Sequence, residues 1–193
     1  ARCTNNNYTP NVNHTCTNTR QLARQVQTIY IVPQTIDNLP TVNSIAPEQP
    51  NVFTDGSLQH PTYRNYSLGS FAVWHPHRST TTHPLTQHEL DYAISREGSY
   101  TDLSTTPHPG ITLSGISASL ASSSTRLELL AAINALLAAA PMHIVTDSAA
   151  FLTKATPIHH DPFTPPKRPW LITTNGDLWH LFQPVSYTHL RAH

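Results

Sequence analysis

The chain has 193 residues, enough for one domain of about 100–150 residues with flanking segments, and its formal net charge is zero. Charged residues make up 11% of it, against about 25% in an average protein, so bulk positive charge is excluded as a route to nucleic acid. No apolar run approaches the roughly 20 residues of a membrane-spanning helix, which excludes a helical membrane protein over this sequence.

Residues 1–50 are rich in Asn, Thr and Pro and predict a linker or the tail of an upstream domain, largely irregular. A short helix is expected around Thr19–Gln27, followed by a brief apolar stretch at Ile29–Val32. Cys3 and Cys16 permit one disulfide but no framework, and with His14 they lack the C-x-x-C pair of a zinc knuckle. Asn7, Asn13 and Asn65 each open an Asn-x-Ser/Thr triplet, which an Asn/Thr-rich chain produces by chance. No signal peptide is visible, and an intracellular location, cytoplasmic or nuclear, is expected.

A domain is expected over residues 51–183. Asn51–Asp55 (NVFTD) predicts a short strand closed by an Asp-Gly turn, and Gly69–His75 predicts a second strand. Residues 76–109 are an insertion of His, Thr and Pro with room for a short helix in LTQHELDYAI. Gly110–Ser119 alternates apolar and small polar residues, as a half-buried strand does. Ser124–Pro141 (STRLELLAAINALLAAAP) predicts a helix, with Leu127, Leu130, Ile133, Leu137 and Ala140 on one apolar face and Pro141 as its stop. Met142–Thr146 predicts an apolar strand ending at Asp147, and Ser148–Ala155 a further helix. A Pro/Lys/Arg loop runs through Pro169, and Asp177 is the expected N-cap of a helix packed by Leu178, Trp179 and Phe182. The order is strand, strand, strand, helix, strand, helix. It predicts an α/β fold whose first three strands are antiparallel and whose fourth runs parallel to the first.

Three acidic residues stand at element boundaries, and each has a local explanation. Asp55 precedes Gly and could make a turn. Asp147 could cap the helix opening at Ser148. Glu128 follows Thr125 by three residues, the spacing of a capping box. Together they suggest a site. If strand 51–55 is central and strand 142–146 pairs with it, both Asp leave the sheet side by side, unless Asp55 lies inside a longer strand, and Glu128 can reach them from the first turn of the crossover helix. Two like charges 4 Å apart cost about 4 kcal/mol at an effective dielectric near 20, so such a cluster needs a cation or shared protons. Hard carboxylate oxygens favour Mg²⁺ or Mn²⁺, and two such ions about 3.5–4 Å apart suit phosphodiester hydrolysis.

The motifs resemble those of ribonuclease H. Phe53-Thr54-Asp55-Gly56-Ser57 is similar to that family's first strand. Ser124-Thr125-Arg126-Leu127-Glu128-Leu129-Leu130-Ala131-Ala132-Ile133 resembles its catalytic helix. Ile144-Val145-Thr146-Asp147-Ser148 resembles the strand bearing its third carboxylate, and Asn175-Gly176-Asp177-Leu178-Trp179 resembles the opening of a later helix. The four motifs stand in the family's order over residues 51–182. The resemblance implies a ribonuclease H-like mixed sheet with flanking helices, of cellular or retroelement type.

It also implies a metal-dependent endonuclease that cuts the RNA strand of RNA–DNA hybrids. Asp55 would bind both of two Mg²⁺ (or Mn²⁺) ions, Glu128 and Asp147 would each help to hold one, and Glu128 would sense the RNA 2′-hydroxyl. Gly56 and Ser57, with Ser124 and Thr125, would line the hybrid's minor groove. The family usually has Asn where Ser124 and Thr125 stand. The basic element with which many members grip the hybrid would be reduced to Lys167 and Arg168, for which solvation of a loop is the equal alternative. The partners implied are the hybrid and, in a parent polyprotein, a covalently attached reverse transcriptase; a monomer with no membrane partner is expected. The alternative is a non-catalytic nucleic-acid-binding or spacer domain retaining the same fold. The family's pattern continues with a fifth strand, a His-bearing loop and a last helix with a fourth carboxylate, none of which is visible after Phe182. A C-terminally truncated domain of weak or absent activity is therefore expected, with residues 184–193 a non-native tail in which His189 and His193 do not replace the missing His, and with strand 142–146 left as an exposed, aggregation-prone edge.

Overall fold

Two antiparallel ladders and one short parallel pairing build a five-stranded mixed sheet. The computed structural model describes residues 42, 45–59, 61, 68–94, 99–102, 107–118, 123–138 and 140–190. The strands are β1 (Val52–Gln59), β2 (Leu68–Pro76), β3 (Ser99–Asp102), β4 (Gly110–Ala118) and β5 (Ile144–Val145), in the order β3-β4-β2-β1-β5. The β1–β2, β2–β4 and β3–β4 pairs are antiparallel, and β5 lies parallel to β1 with Val52 opposite Ile144 and Phe53 opposite Val145. Four helices flank the sheet: α1 (Gln87–Ile94), α2 (Ser124–Leu136), α3 (Ala149–His160) and α4 (Gly176–Leu190), with a 3₁₀ turn at Trp170–Ile172 before α4. None is long and apolar enough to cross a membrane.

The α/β order and the parallel fourth strand agree with the sequence, but the count of strands does not. The sheet has five strands, the additional one being β3, which the 76–109 insertion supplies at the edge next to β4. Four residues, Ser-Tyr-Thr-Asp, carry too little alternation to be read alone; pairing with β4 makes them a strand. Among the described residues β5 lies at the other edge of the sheet, beside β1.

The central helix differs too. It is buried all round, every residue from Leu127 to Leu136 lying inside, because β1 and β2 cover one side while α3 and α4 cover another. Full burial of side chains such as Leu127, Leu130 and Ile133 contributes about 1.5–3 kcal/mol each. Pro141 does not stop this helix. It ends at Leu136, where the N–H groups of Leu137 and Ala138 turn back to the carbonyls of Asn134 and Ala135. The Thr86 hydroxyl then donates to the Leu137 carbonyl at 2.9 Å, satisfying one of the groups a helix end leaves open.

The end of the domain also needs correction. The last helix continues past Phe182 to Leu190, and Val185 and Ser186 are buried, so packing passes the expected boundary at 183 and enters the segment read as a tail. Phe151, Trp179 and Phe182 join α3 to α4, with ring centroids 5.6–5.9 Å apart. Upstream, His143 Nδ1 lies within hydrogen-bond distance of the Pro47 and Glu48 carbonyls, which ties residues 47 and 48 to the approach to β5. The helix expected at Thr19–Gln27, the stretch Ile29–Val32, both cysteines, His14, His193 and the three Asn triplets lie outside the described residues.

Candidate metal centre

Burial alternates along β1. Val52 and Thr54 face the helices, while Phe53, Asp55 and Ser57 face outward. Asp55 therefore makes no turn: it sits inside a strand that runs four residues further, opposite Ala72 of β2. Asp147 does not cap α3 either. Ser148 is the N-cap, its hydroxyl accepting from the Phe151 N–H. The capping box at Thr125 is likewise absent, because Ser123 caps α2 by accepting from the Arg126 N–H at 3.1 Å. Thr125 is already inside the helix, and Glu128 is its fifth residue rather than part of its first turn.

Released from these local tasks, the three carboxylates meet. One oxygen each from Asp55, Glu128 and Asp147 lies within 4.8 Å of the others. Among the described residues they are the His/Cys/Asp/Glu group placed to share an ion. Glu128 is 4% exposed, whereas both aspartates are exposed. Both Glu128 oxygens are anchored, Oε1 accepting from the Gly56 N–H at 2.9 Å and Oε2 from the Thr146 hydroxyl at 3.1 Å. Burial raises the Glu128 pKa above its ordinary value; the bonds from Thr146 and Gly56 oppose this, and the negative charges of Asp147 and Asp55 add to it.

The donor set fits a hard divalent cation. Oxygens on opposite sides of one Mg²⁺ stand about 4.2 Å apart. A cluster within 4.8 Å thus suits one ion after a small closure, or two ions bridged by a shared carboxylate.

The neighbouring residues explain how α2 is aimed. At Gly56 an added Cβ would lie 2.7 Å from the Glu128 backbone nitrogen and 2.8 Å from Leu127 Cβ, so only glycine lets the helix approach β1 this closely. Arg126 makes a bidentate pair with Asp177, at 2.9 and 2.6 Å, joining the starts of α2 and α4. Asp177 is thus not the N-cap of α4, which begins one residue earlier, at Gly176. Burial pushes the Asp177 pKa up, but the Arg126 hydrogen bond and charge outweigh it and leave the group below its ordinary value.

Of the residues expected along the minor groove, Gly56 is half-buried with its N–H engaged by Glu128; Ser57 and Ser124 are exposed and Thr125 half-buried. Lys167 and Arg168 are exposed on the loop before the 3₁₀ turn. Sequence reasoning missed Thr146 as a partner of Glu128. The cue was the Thr-Asp pair repeated at 54–55 and 146–147 on strands expected to be neighbours. No protein-family model matches the chain, and no curated protein or solved structure matches it.

Proposed function

We propose that the chain carries a ribonuclease H-type nuclease site that hydrolyses the RNA strand of RNA–DNA hybrids. The observation that carries this proposal is the convergence of Asp55, Glu128 and Asp147 from β1, α2 and the connection that follows β5. Their match in type and order to the family's acidic motifs supports it, as does a mixed sheet whose first strand lies between an antiparallel and a parallel neighbour.

Asp55, Glu128 and Asp147 would hold Mg²⁺ or Mn²⁺. Bound there, the ions would activate water and offset charge on the phosphate. The chain's own part is to hold three oxygens at fixed separations, with Glu128 braced from two sides and Asp55 and Asp147 open to an approaching backbone. With no net positive charge, affinity for the hybrid would come from local contacts or from an attached domain.

The test is an assay on a hybrid labelled in its RNA strand, with Mg²⁺ or Mn²⁺ and micromolar protein. Slow, metal-dependent cutting of the RNA strand, abolished in Asp55→Asn, is expected. Cutting that survives Asp55→Asn, or no cutting together with no Mn²⁺ binding, contradicts the proposal.

A further inference from the structure

Thr54 lies in β1 and Thr146 directly follows β5, and each immediately precedes an aspartate of the cluster, Asp55 and Asp147. The Thr54 hydroxyl donates to the Val145 carbonyl at 3.2 Å, so it secures β5 against β1. The Thr146 hydroxyl does something different. It donates to Glu128 Oε2 at 3.1 Å and accepts from the Ser148 N–H, also at 3.1 Å. It is half-buried and has both roles of a hydroxyl in use, with no freedom to rotate without giving up one bond.

A glutamate on a helix has three side-chain torsions and could swing its carboxylate away from two neighbouring aspartates. Repulsion favours that swing. Gly56 fixes one oxygen through its backbone, a donor that no side-chain substitution can remove. The second oxygen is held by Thr146.

We infer that Thr146 is a positioning residue, whose hydroxyl fixes the rotation of the Glu128 carboxylate and so sets the site's affinity for a divalent cation. The inference rests on the metal-centre reading. Thr146 faces Glu128 while the next residue, Asp147, joins the acidic cluster, so one turn of backbone delivers a carboxylate and the group that orients another. Groups that orient metal ligands in this way typically change metal affinity by about 10–100-fold when removed.

The experiment is a calorimetric titration of the full chain with Mn²⁺, for wild type, Thr146→Val, Thr146→Ser and Asp55→Asn. Each variant is checked for folding by circular dichroism and thermal melting. Thr146→Val, close in shape, is expected to weaken Mn²⁺ binding at least tenfold. Thr146→Ser, which keeps the hydroxyl, is expected to bind within threefold of wild type, and a merely structural role for the methyl group would reverse that order. Thr146→Ala serves as a second hydroxyl deletion if valine disturbs α3. Wild-type affinity in both deletions, with binding lost in Asp55→Asn, overturns the inference and leaves the metal centre standing. Failure of wild type to bind Mn²⁺, or equal binding by Asp55→Asn, overturns the metal centre and the inference with it.

Discussion

Gly56 and Glu128 are joined in two ways: the Gly56 N–H donates to Glu128 Oε1 at 2.9 Å, and the bare α-carbon of Gly56 lets the helix backbone at Glu128 come close. The same contact sets both the position of α2 and the direction of its carboxylate. Gly56→Ala places a Cβ within 3 Å of Leu127 and Glu128 backbone atoms, which cannot move independently of the helix. Overpacking of this kind costs about 1–3 kcal/mol, and a value near the upper end is expected here. Urea denaturation checks it; an unchanged midpoint would mean that α2 does not rest on Gly56.

Burial, opposed by the bonds from Thr146 and Gly56 and reinforced by the negative charges of Asp147 and Asp55, raises the folded-state pKa of Glu128 above its unfolded value. A carboxyl shifted this way stabilises the fold below its unfolded pKa and loses that contribution as pH rises through the folded pKa. Glu128→Gln relieves the charge repulsion but turns an amide N–H₂ towards the Gly56 N–H or the Thr146 hydroxyl, both of which donate to the carboxylate, so its melting temperature without metal combines opposing effects and the response to metal is the readout. Mg²⁺ or Mn²⁺ should raise the melting temperature of wild type and leave Glu128→Gln nearly unchanged. A Glu128→Gln variant whose melting temperature still rises with metal as wild type's does would contradict this.

The three carboxylates were legible in the sequence because each follows a short, recognisable pattern: an apolar strand before Asp55, another before Asp147, and an Ala/Leu-rich helix after Ser123. Their local alternatives were equally legible, and only the fold decided between them. Ser123 and Ser148 take the capping tasks that Thr125 and Asp147 could have had, and β1 runs on through Gln59. Both serines stand in runs of small polar residues, where single-residue cap positions are ambiguous. β3 was hidden because four residues acquire strand character only from their neighbour. The run of α4 to Leu190 was hidden because residues 184–193 read as a tail outside the fold, whereas the helix continues into them and buries Val185 and Ser186.

His75 lies on the helix-facing side of β2, 4% exposed, with no partner for Nε2. Burial, then the nearby Arg78 charge, lowers its pKa to about 4, and Glu89 opposes the shift. A base with a depressed folded pKa is neutral inside the fold, so its contribution is complete above the unfolded value of 6.5 and is lost as pH falls towards 4. A displacement of this size corresponds to about 3 kcal/mol. Stability should fall between pH 6.5 and 4, and the slope should flatten in His75→Leu. Parallel pH profiles for the two proteins would show that His75 does not titrate in this way.

Glu89 caps α1, accepting from the Thr86 N–H at 2.7 Å while the Thr86 hydroxyl accepts from the Glu89 N–H at 3.1 Å. Its carboxylate is fully buried and takes two bonds from Arg78, at 2.7 and 2.8 Å. Glu89→Gln leaves the Arg78 charge inside without its partner, which typically costs about 3–5 kcal/mol. Chemical denaturation should show a loss of that order. A loss under about 1 kcal/mol would indicate that Arg78 escapes to solvent.

The most direct test of the account is Mn²⁺ binding followed by electron paramagnetic resonance in wild type, Asp55→Asn and Asp147→Asn. If Asp55, Glu128 and Asp147 form one metal centre, wild type binds Mn²⁺ and each substitution weakens or abolishes binding without unfolding the chain. Binding that is absent in wild type, or unchanged in both variants, would show that the three carboxylates meet without serving as a metal site.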